Sequence, residues 1–181
     1  MAKSVQQFDS LVAESEFVFA VFYRGHWCPF CISWIKDLQR LVPEIQQKRG
    51  TAVIVTAEEE KFLTDVLAKT KFSGKTITDP DTSLVKELKS RNLVSVAITD
   101  RGGYPHGMIQ PAVLVVNKEG KVIYQWAIQP SMMNLGGAKD RVSLQEVWED
   151  VQGILTGDKT SMRTHFSRQS LSAGLKQKMF G

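Results

Sequence analysis

Apolar positions along the chain follow two rhythms. Short unbroken apolar runs occur at residues 17–23 (FVFAVFY), 51–56 (TAVIVT) and 112–116 (AVLVV). Runs of this length, rich in Val and Phe, predict strands buried on both faces, as at the centre of an α/β sheet. Elsewhere apolar residues recur every three or four positions. Val5, Phe8, Leu11 and Val12 predict a helix over 4–14. Trp34, Ile35, Leu38, Leu41, Val42 and Ile45 predict a longer one over about 30–47, with Lys36, Asp37, Gln39 and Arg40 facing out. Pro43 lies inside that pattern and predicts a kink.

The second half alternates in the same way. Residues 58–71 predict a helix with acids first and bases last, as the helix dipole prefers. A short strand is expected at 76–78. Asp79-Pro80-Asp81 then opens a helix whose buried face is Leu84, Val85 and Leu88. Residues 93–99 read as a strand or as the lead into an exposed, glycine-rich loop at 100–107. The runs 109–117 and 122–127, joined across Lys118-Glu119-Gly120-Lys121, predict a β-hairpin. Ser143 with Glu146 three residues on forms a capping box that opens a helix over 143–155, ended by Gly157. Strand–helix alternation followed by a hairpin predicts a mixed central sheet with helices on both faces.

Composition narrows the picture. At 181 residues, 43% hydrophobic and 23% charged, the chain fits one ordinary domain with an appendage. There is no apolar run of roughly 18 residues, so no membrane span is expected. The opening MAKSVQQFDS lacks the pattern of an export signal. A cytoplasmic, reducing location follows as the expectation, and there a close cysteine pair cycles or binds metal rather than bracing the fold. The net charge of +4 is all in the tail: from Asp158 onward stand Lys159, Arg163, Arg168, Lys176 and Lys178 against one acid. The neutral body 1–157 carries no footprint for nucleic acid, whereas the basic tail 158–181 is expected to be disordered or to dock on a partner.

Both cysteines of the chain, Cys28 and Cys31, lie at the junction of the first strand and the long helix, in RGHWCPFC. Cysteines three apart on a first helical turn share one face, and the free N–H groups there favour a thiolate. Pro29 suits that first turn because its missing N–H has no partner to lose. Arg24 and His26 are candidate donors to a developing thiolate, and Trp27 is a candidate shield. Position slightly favours Cys28, nearer the open end of the helix, as the attacker, and leaves the order of attack between Cys28 and Cys31 open.

These residues resemble the thioredoxin superfamily: an apolar strand, Trp-Cys-Pro-x-Cys, an amphipathic helix, and Gln110-Pro111 before a late strand. The resemblance implies a thioredoxin-like three-layer α/β/α sandwich over 1–157 and a cis-proline at Pro111 facing the active-site cysteines. "ITDPDTSLVKEL" and "PAVLVVNKEGKVIYQW" are similar to segments of peroxiredoxin-like proteins of the alkyl hydroperoxide reductase/thiol-specific antioxidant type. That likeness implies reduction of a small-molecule peroxide or disulfide, with no cofactor, recycling by an external dithiol such as a thioredoxin or glutathione system, and admits a homodimer. Two departures stand out. The peroxiredoxin pattern Pro-x-x-x-Thr/Ser-x-x-Cys falls on Arg24, Cys28 and Cys31, so only its cysteine is kept. The family's catalytic arginine aligns at about Pro111 and is missing there. Thioredoxin-like chemistry makes Cys28 the nucleophile, whereas peroxiredoxin-like chemistry makes it Cys31.

Three other readings compete. His26, Cys28 and Cys31 form an HxCxxC cluster, but a closed zinc site needs four ligands, and only His106 or His165 remain to supply more. An iron–sulfur cluster shared across a dimer needs no further residues. A non-enzymatic interaction module on the same fold is the third, supported by the basic tail.

Overall fold

Alternation along one strand sets the architecture. In the computed structural model, which describes residues 2–168, β1 (Phe17–Phe22) is buried along its whole length. Phe17, Phe19 and Val21 enter one apolar layer, and Val18, Ala20 and Phe22 enter the other. A strand lined this way has to lie mid-sheet between helices. It pairs in parallel with β2 (Gly50–Thr56), which pairs in parallel with β3 (Lys75–Thr78). On its other side it pairs antiparallel with β6 (Ala112–Asn117), and β6 with β7 (Val122–Ala127). The sheet order is β3-β2-β1-β6-β7. This is the mixed sheet and thioredoxin-like sandwich the sequence predicts.

One face is covered by α1 (Lys3–Glu14) and α4 (Ser83–Ser90), through Val5, Phe8, Leu84, Val85 and Leu88. The other carries α2 (Pro29–Gln47) and α5 (Leu144–Thr156), with Val66 of α3 (Leu63–Thr70). Helix α2 continues across Pro43, which sits on its exposed side. A strand end and a helix start are tied together at Asp79, whose buried carboxylate accepts Ser4 Oγ–H (2.7 Å) and the Leu84 N–H of α4 (2.9 Å).

Several elements depart from expectation for identifiable reasons. The helix predicted over 58–71 begins late. Glu59 stays extended, a 3₁₀ turn covers Glu60–Phe62, and α3 follows. Glu58 is held out of the helix because its carboxylate is used by the cysteine loop, as described below. The run 109–117 is split into β5 (Met108–Ile109) and β6, since Pro111 has no N–H to give a ladder. β5 instead pairs with β4 (Ile98–Thr99), making a two-stranded ribbon that carries the 100–107 loop. Among the described residues there is no cis peptide bond. Pro111 is therefore a trans proline, which corrects the cis geometry implied by the resemblance.

The capping box at α5 is half formed. Ser143 Oγ accepts the Glu146 N–H at 3.3 Å, but the Glu146 carboxylate turns to Ser167, taking its N–H and Oγ–H, both at 2.6 Å. Gly157 closes the helix at φ 80°, a conformation that suits glycine. Residues 158–168 of the tail lie on their own chain, against α5; residues 169–181, where the rest of the tail expectation falls, lie outside the described residues.

Trp148 of α5 is the central side chain of this layer. It is fully buried, stacks on Phe17 (5.9 Å), meets Phe19 edge-on and donates its indole N–H to Glu44 of α2 (2.9 Å). Trp148→Ala is expected to lower stability by about 3–5 kcal/mol in urea unfolding, through the cavity it leaves.

Candidate active site

The site forms where β1 ends and α2 begins. Cys28 is the N-cap of α2, Pro29 its first residue, and Cys31 lies one turn in. Pro29 fits there for the reason the sequence suggests, since that position has no backbone acceptor to satisfy. Both thiols are free, and both are buried, at 1% and 0% exposure. Both belong to the apolar layer shared by α2 and α5.

A residue absent from the sequence reading lies against them. Arg141, in the segment between β7 and α5, is fully buried. Its Nη2 lies 3.3 Å from Cys31 Sγ and 3.6 Å from Cys28 Sγ. Its guanidinium carbon sits 5.3 Å over the ring of Trp34. Its Nε and Nη1 have no hydrogen-bond partner among the described residues. A guanidinium thus lies on the sulfurs, brought from thirty positions beyond Pro111. Nothing in the local pattern around Lys139-Asp140-Arg141 marks it. The only trace in the sequence is a basic residue directly before the apolar Val142 and the Ser143 cap.

This arrangement separates the two sulfurs electrostatically. Burial alone raises the Cys31 thiol, but a hydrogen bond from the Cys28 thiol, the Arg141 charge and the Arg24 backbone N–H (3.4 Å) outweigh it. Together they bring Cys31 down to about 5. Cys28 moves the other way, because its proton is held by Cys31 and its own burial disfavours charge. Arg141 is in turn disfavoured by burial and held charged by the two sulfurs. Chain position slightly favours Cys28, whereas the backbone N–H of Arg24 and the shorter of the two Arg141 contacts fall on Cys31.

The supporting residues are placed less simply. Arg24 reaches Cys31 through its backbone, while its guanidinium lies 5.3 Å over Trp27. His26 is neither a donor to the sulfurs nor a free surface group. Its N–H and Nδ1 are bound to the two oxygens of Glu58 (2.8 and 2.7 Å), and its ring stacks on Phe62 at 4.5 Å. Trp27 is half-buried against the apolar layer that contains the cysteines. Arg101 lies 3.5 Å above its ring, and its indole N–H goes to the Tyr104 hydroxyl (2.9 Å). That hydroxyl lies 2.9 Å from Arg24 O and 3.0 Å from Glu58 Oε1. Glu58 and Tyr104 thus pin the cysteine loop to the 100–107 loop. Gly25 sits where they converge, and a Cβ there would meet Tyr104 OH at 2.4 Å and Glu58 Oε1 at 2.5 Å. Pro111 is buried beside Ala112, whose partner is Phe22, and so lies at the end of the sheet from which the cysteine loop departs.

Among the described residues no three His, Cys, Asp or Glu side chains gather as a metal site. His26 is committed to Glu58, and His106 and His165 are exposed. No helix among the described residues is long and apolar enough to cross a membrane. Met132 and Met133 are 95% and 84% exposed on a 3₁₀ turn.

A buried dithiol at a strand-to-helix junction, on this sheet order, defines a thioredoxin-fold protein of the peroxiredoxin kind. Residues 3–125 match the AhpC/TSA family, and the chain belongs to it. Solved structures share the fold at low identity. Peroxidoxin BcpB from Mycobacterium tuberculosis is 11% identical, with TM-score 0.60 over 84% of this chain and 86% of that one. AhpC from Enterococcus faecalis is 17% identical, with TM-score 0.57 over 82% of each. The reduced 2-Cys peroxiredoxin of Plasmodium vivax is 15% identical, with TM-score 0.59 over 83% and 84%. No curated protein matches the sequence. Family and relatives together support a thiol-dependent oxidoreductase of the peroxidase type. Arg141 lies outside the matched segment.

Arg141→Met, of similar bulk and no charge, is expected to lift the lower thiol titration from about 5, cutting the thiolate at slightly acid pH roughly tenfold or more. Ultraviolet thiolate absorbance against pH checks this. Arg141→Lys should recover part of the effect.

Proposed function

We propose that the protein is a dithiol peroxidase in which Cys31 attacks the peroxide and Cys28 resolves. The observation that carries this reading is Arg141. It holds one guanidinium nitrogen on both sulfurs, while its buried Nε and Nη1 meet no partner among the described residues. Buried donors of this kind cost free energy unless they meet an acceptor. The two oxygens of a hydroperoxide are such acceptors, and the Cys31 thiolate lies next to them.

The steps balance as follows. The Cys31 thiolate attacks the near oxygen of ROOH, the O–O bond breaks, and the departing alkoxide takes a proton as ROH. Cys31 is left as a sulfenic acid. The Cys28 thiol then attacks that sulfur; water leaves, and a Cys28–Cys31 disulfide forms. An external dithiol reduces it by exchange, becoming a disulfide itself and restoring the Cys31 thiolate, the Cys28 thiol and a proton. The dithiol donor is of the thioredoxin or glutathione type, and a reducing cytoplasm is the compartment that supplies it. The near-complete burial of both sulfurs favours a small oxidant over a protein disulfide, which would have to approach a covered site.

Hydrogen peroxide or an alkyl hydroperoxide, with a sulfenic-acid trap and mass spectrometry, tests the assignment. Cys28→Ser should accumulate sulfenic acid on Cys31, and Cys31→Ser should form none on Cys28. Absence of sulfenic acid in both variants, with disulfide reductase turnover intact in the unaltered protein, would overturn the peroxidase reading. The rate of peroxide consumption should rise with pH around the Cys31 titration at about 5 and be level near neutrality. A group with an ordinary thiol value of about 8.5 would still be rising there.

A further inference from the structure

We propose that the C-terminal strap, residues 158–168, is a positioning element that keeps Arg141 on the two sulfurs and is itself held by the acidic face of α5. The inference rests on the reading of Cys28 and Cys31 as an Arg141-polarised dithiol, and is independent of which oxidant they meet.

Among the described residues the Arg141 guanidinium makes no hydrogen bond beyond its contacts with the sulfurs; what fixes it is the chain that follows. Val142 forms an antiparallel bridge with Arg168 of the strap. Val142 O accepts the indole N–H of Trp34 (3.0 Å), and Ser143 donates its N–H to Ser167 O (2.9 Å). The two residues after Arg141 are thus held between α2 and the strap. A second connection runs through side chains. Arg141 lies over Trp34, Trp34 meets Trp126 edge-on at 6.0 Å, and Arg168 lies 5.7 Å over Trp126. This cation–ring–ring–cation series leads from the buried sulfurs to the exposed strap.

Charges on α5 hold the strap down. Asp150, fully buried, takes Lys159 Nζ and Arg163 Nη2 (2.9 Å), and Arg163 also reaches Glu149 (3.0 Å). Glu146 takes both the N–H and the hydroxyl of Ser167. Met162 and Phe166 pack on the apolar layer that contains the cysteines, Phe166 5.1 Å from Tyr124. The basic residues of the tail's described part are therefore used within the chain. Arg163 and Lys159 hold the Asp150 carboxylate well below the usual range against its burial, so the clip does not titrate near neutrality. Strap residues act on the sulfurs only through Arg141 and are positioning residues.

Three full-chain variants test this: Arg163→Glu, Glu146→Ala and Arg168→Ala. Hydrogen exchange at the Ser143 amide reports strap release, because that amide is bonded to Ser167. Ultraviolet titration reports the thiolate. Exchange at Ser143 should accelerate, and the midpoint of the lower thiol titration should rise from about 5 by roughly one pH unit or more, in step with it. Arg163→Lys should restore both. Arg91→Glu, which breaks an ion pair with Asp9 on the other face of the sheet, should change neither. Faster Ser143 exchange with an unmoved thiol titration overturns the positioning role. Unchanged Ser143 exchange in all three variants overturns the clip. Should Arg163→Glu fail to fold, Arg163→Ala carries the same expectations. Because the readout uses no peroxide, a protein that fails as a peroxidase can still pass this test.

Discussion

The structure depends on a buried cation. Arg141 is sealed among apolar side chains, and a guanidinium cannot shed its proton to escape the cost of burial. Such a charge persists only beside an opposite one. The chain has no carboxylate at this place; it has two thiols, and one of them has to ionise. The low Cys31 titration is thus the electrostatic answer to Arg141 as much as a property of the cysteine. Cys28 completes the arrangement as a neutral donor, since two thiolates in a dry layer would repel each other. An acid–base pair made of identical residues results, and its asymmetry comes from environment alone.

Much of this was legible in the sequence and some was not, for physical reasons. The unbroken run 17–23 could only be a strand covered on both faces, and the three-residue cysteine spacing could only place two sulfurs at a helix start. Local chemistry also showed the Ser143 cap and the Gly157 stop. What failed was long-range. That both sulfurs lie against a guanidinium depends on an arginine more than a hundred positions away, and no periodicity encodes that contact. Chain position gave Cys28 the advantage of the open helix end, but in three dimensions that end is covered. His26 was misjudged for the same reason, because its partner Glu58 lies across the sheet end and is drawn out of the helix its sequence favours. The family pattern placed an arginine at one chain position, whereas the site requires only a guanidinium at one point in space.

Covering the dithiol has consequences for access. Trp27 packs on the layer that contains the cysteines, and its own place is fixed by Arg101, Tyr104 and Glu58. The contacts in that cover are of two kinds. Glu58 and Tyr104 make directed hydrogen bonds to the 24–27 backbone and side chains, so they set loop shape. Arg101 is exposed and lies on the Trp27 face, so it can leave without orphaning a buried group. The cover therefore has a rigid hinge side and a loose outer side. A small molecule asks little of such a site, whereas a larger one asks for local opening, which the two-stranded β4–β5 ribbon, only two residues a strand, resists weakly.

The two fully buried charges of the α2–α5 layer, Arg141 and Asp150, follow one rule with opposite signs. Each is desolvated, and each is matched by groups brought from elsewhere in the chain: sulfurs from α2 for the first, cations from the strap for the second. Neither charge contributes much net stability by being buried, because desolvation offsets most of the attraction. What they contribute is uniqueness. If the strap shifts by a residue, Asp150 loses its cations; if the 141–143 segment shifts, Arg141 loses its sulfurs. The Val142–Arg168 bridge joins the two segments, so the two penalties fall together. A single register of the chain after β7 satisfies both, and that is the register in which the guanidinium lies on the dithiol.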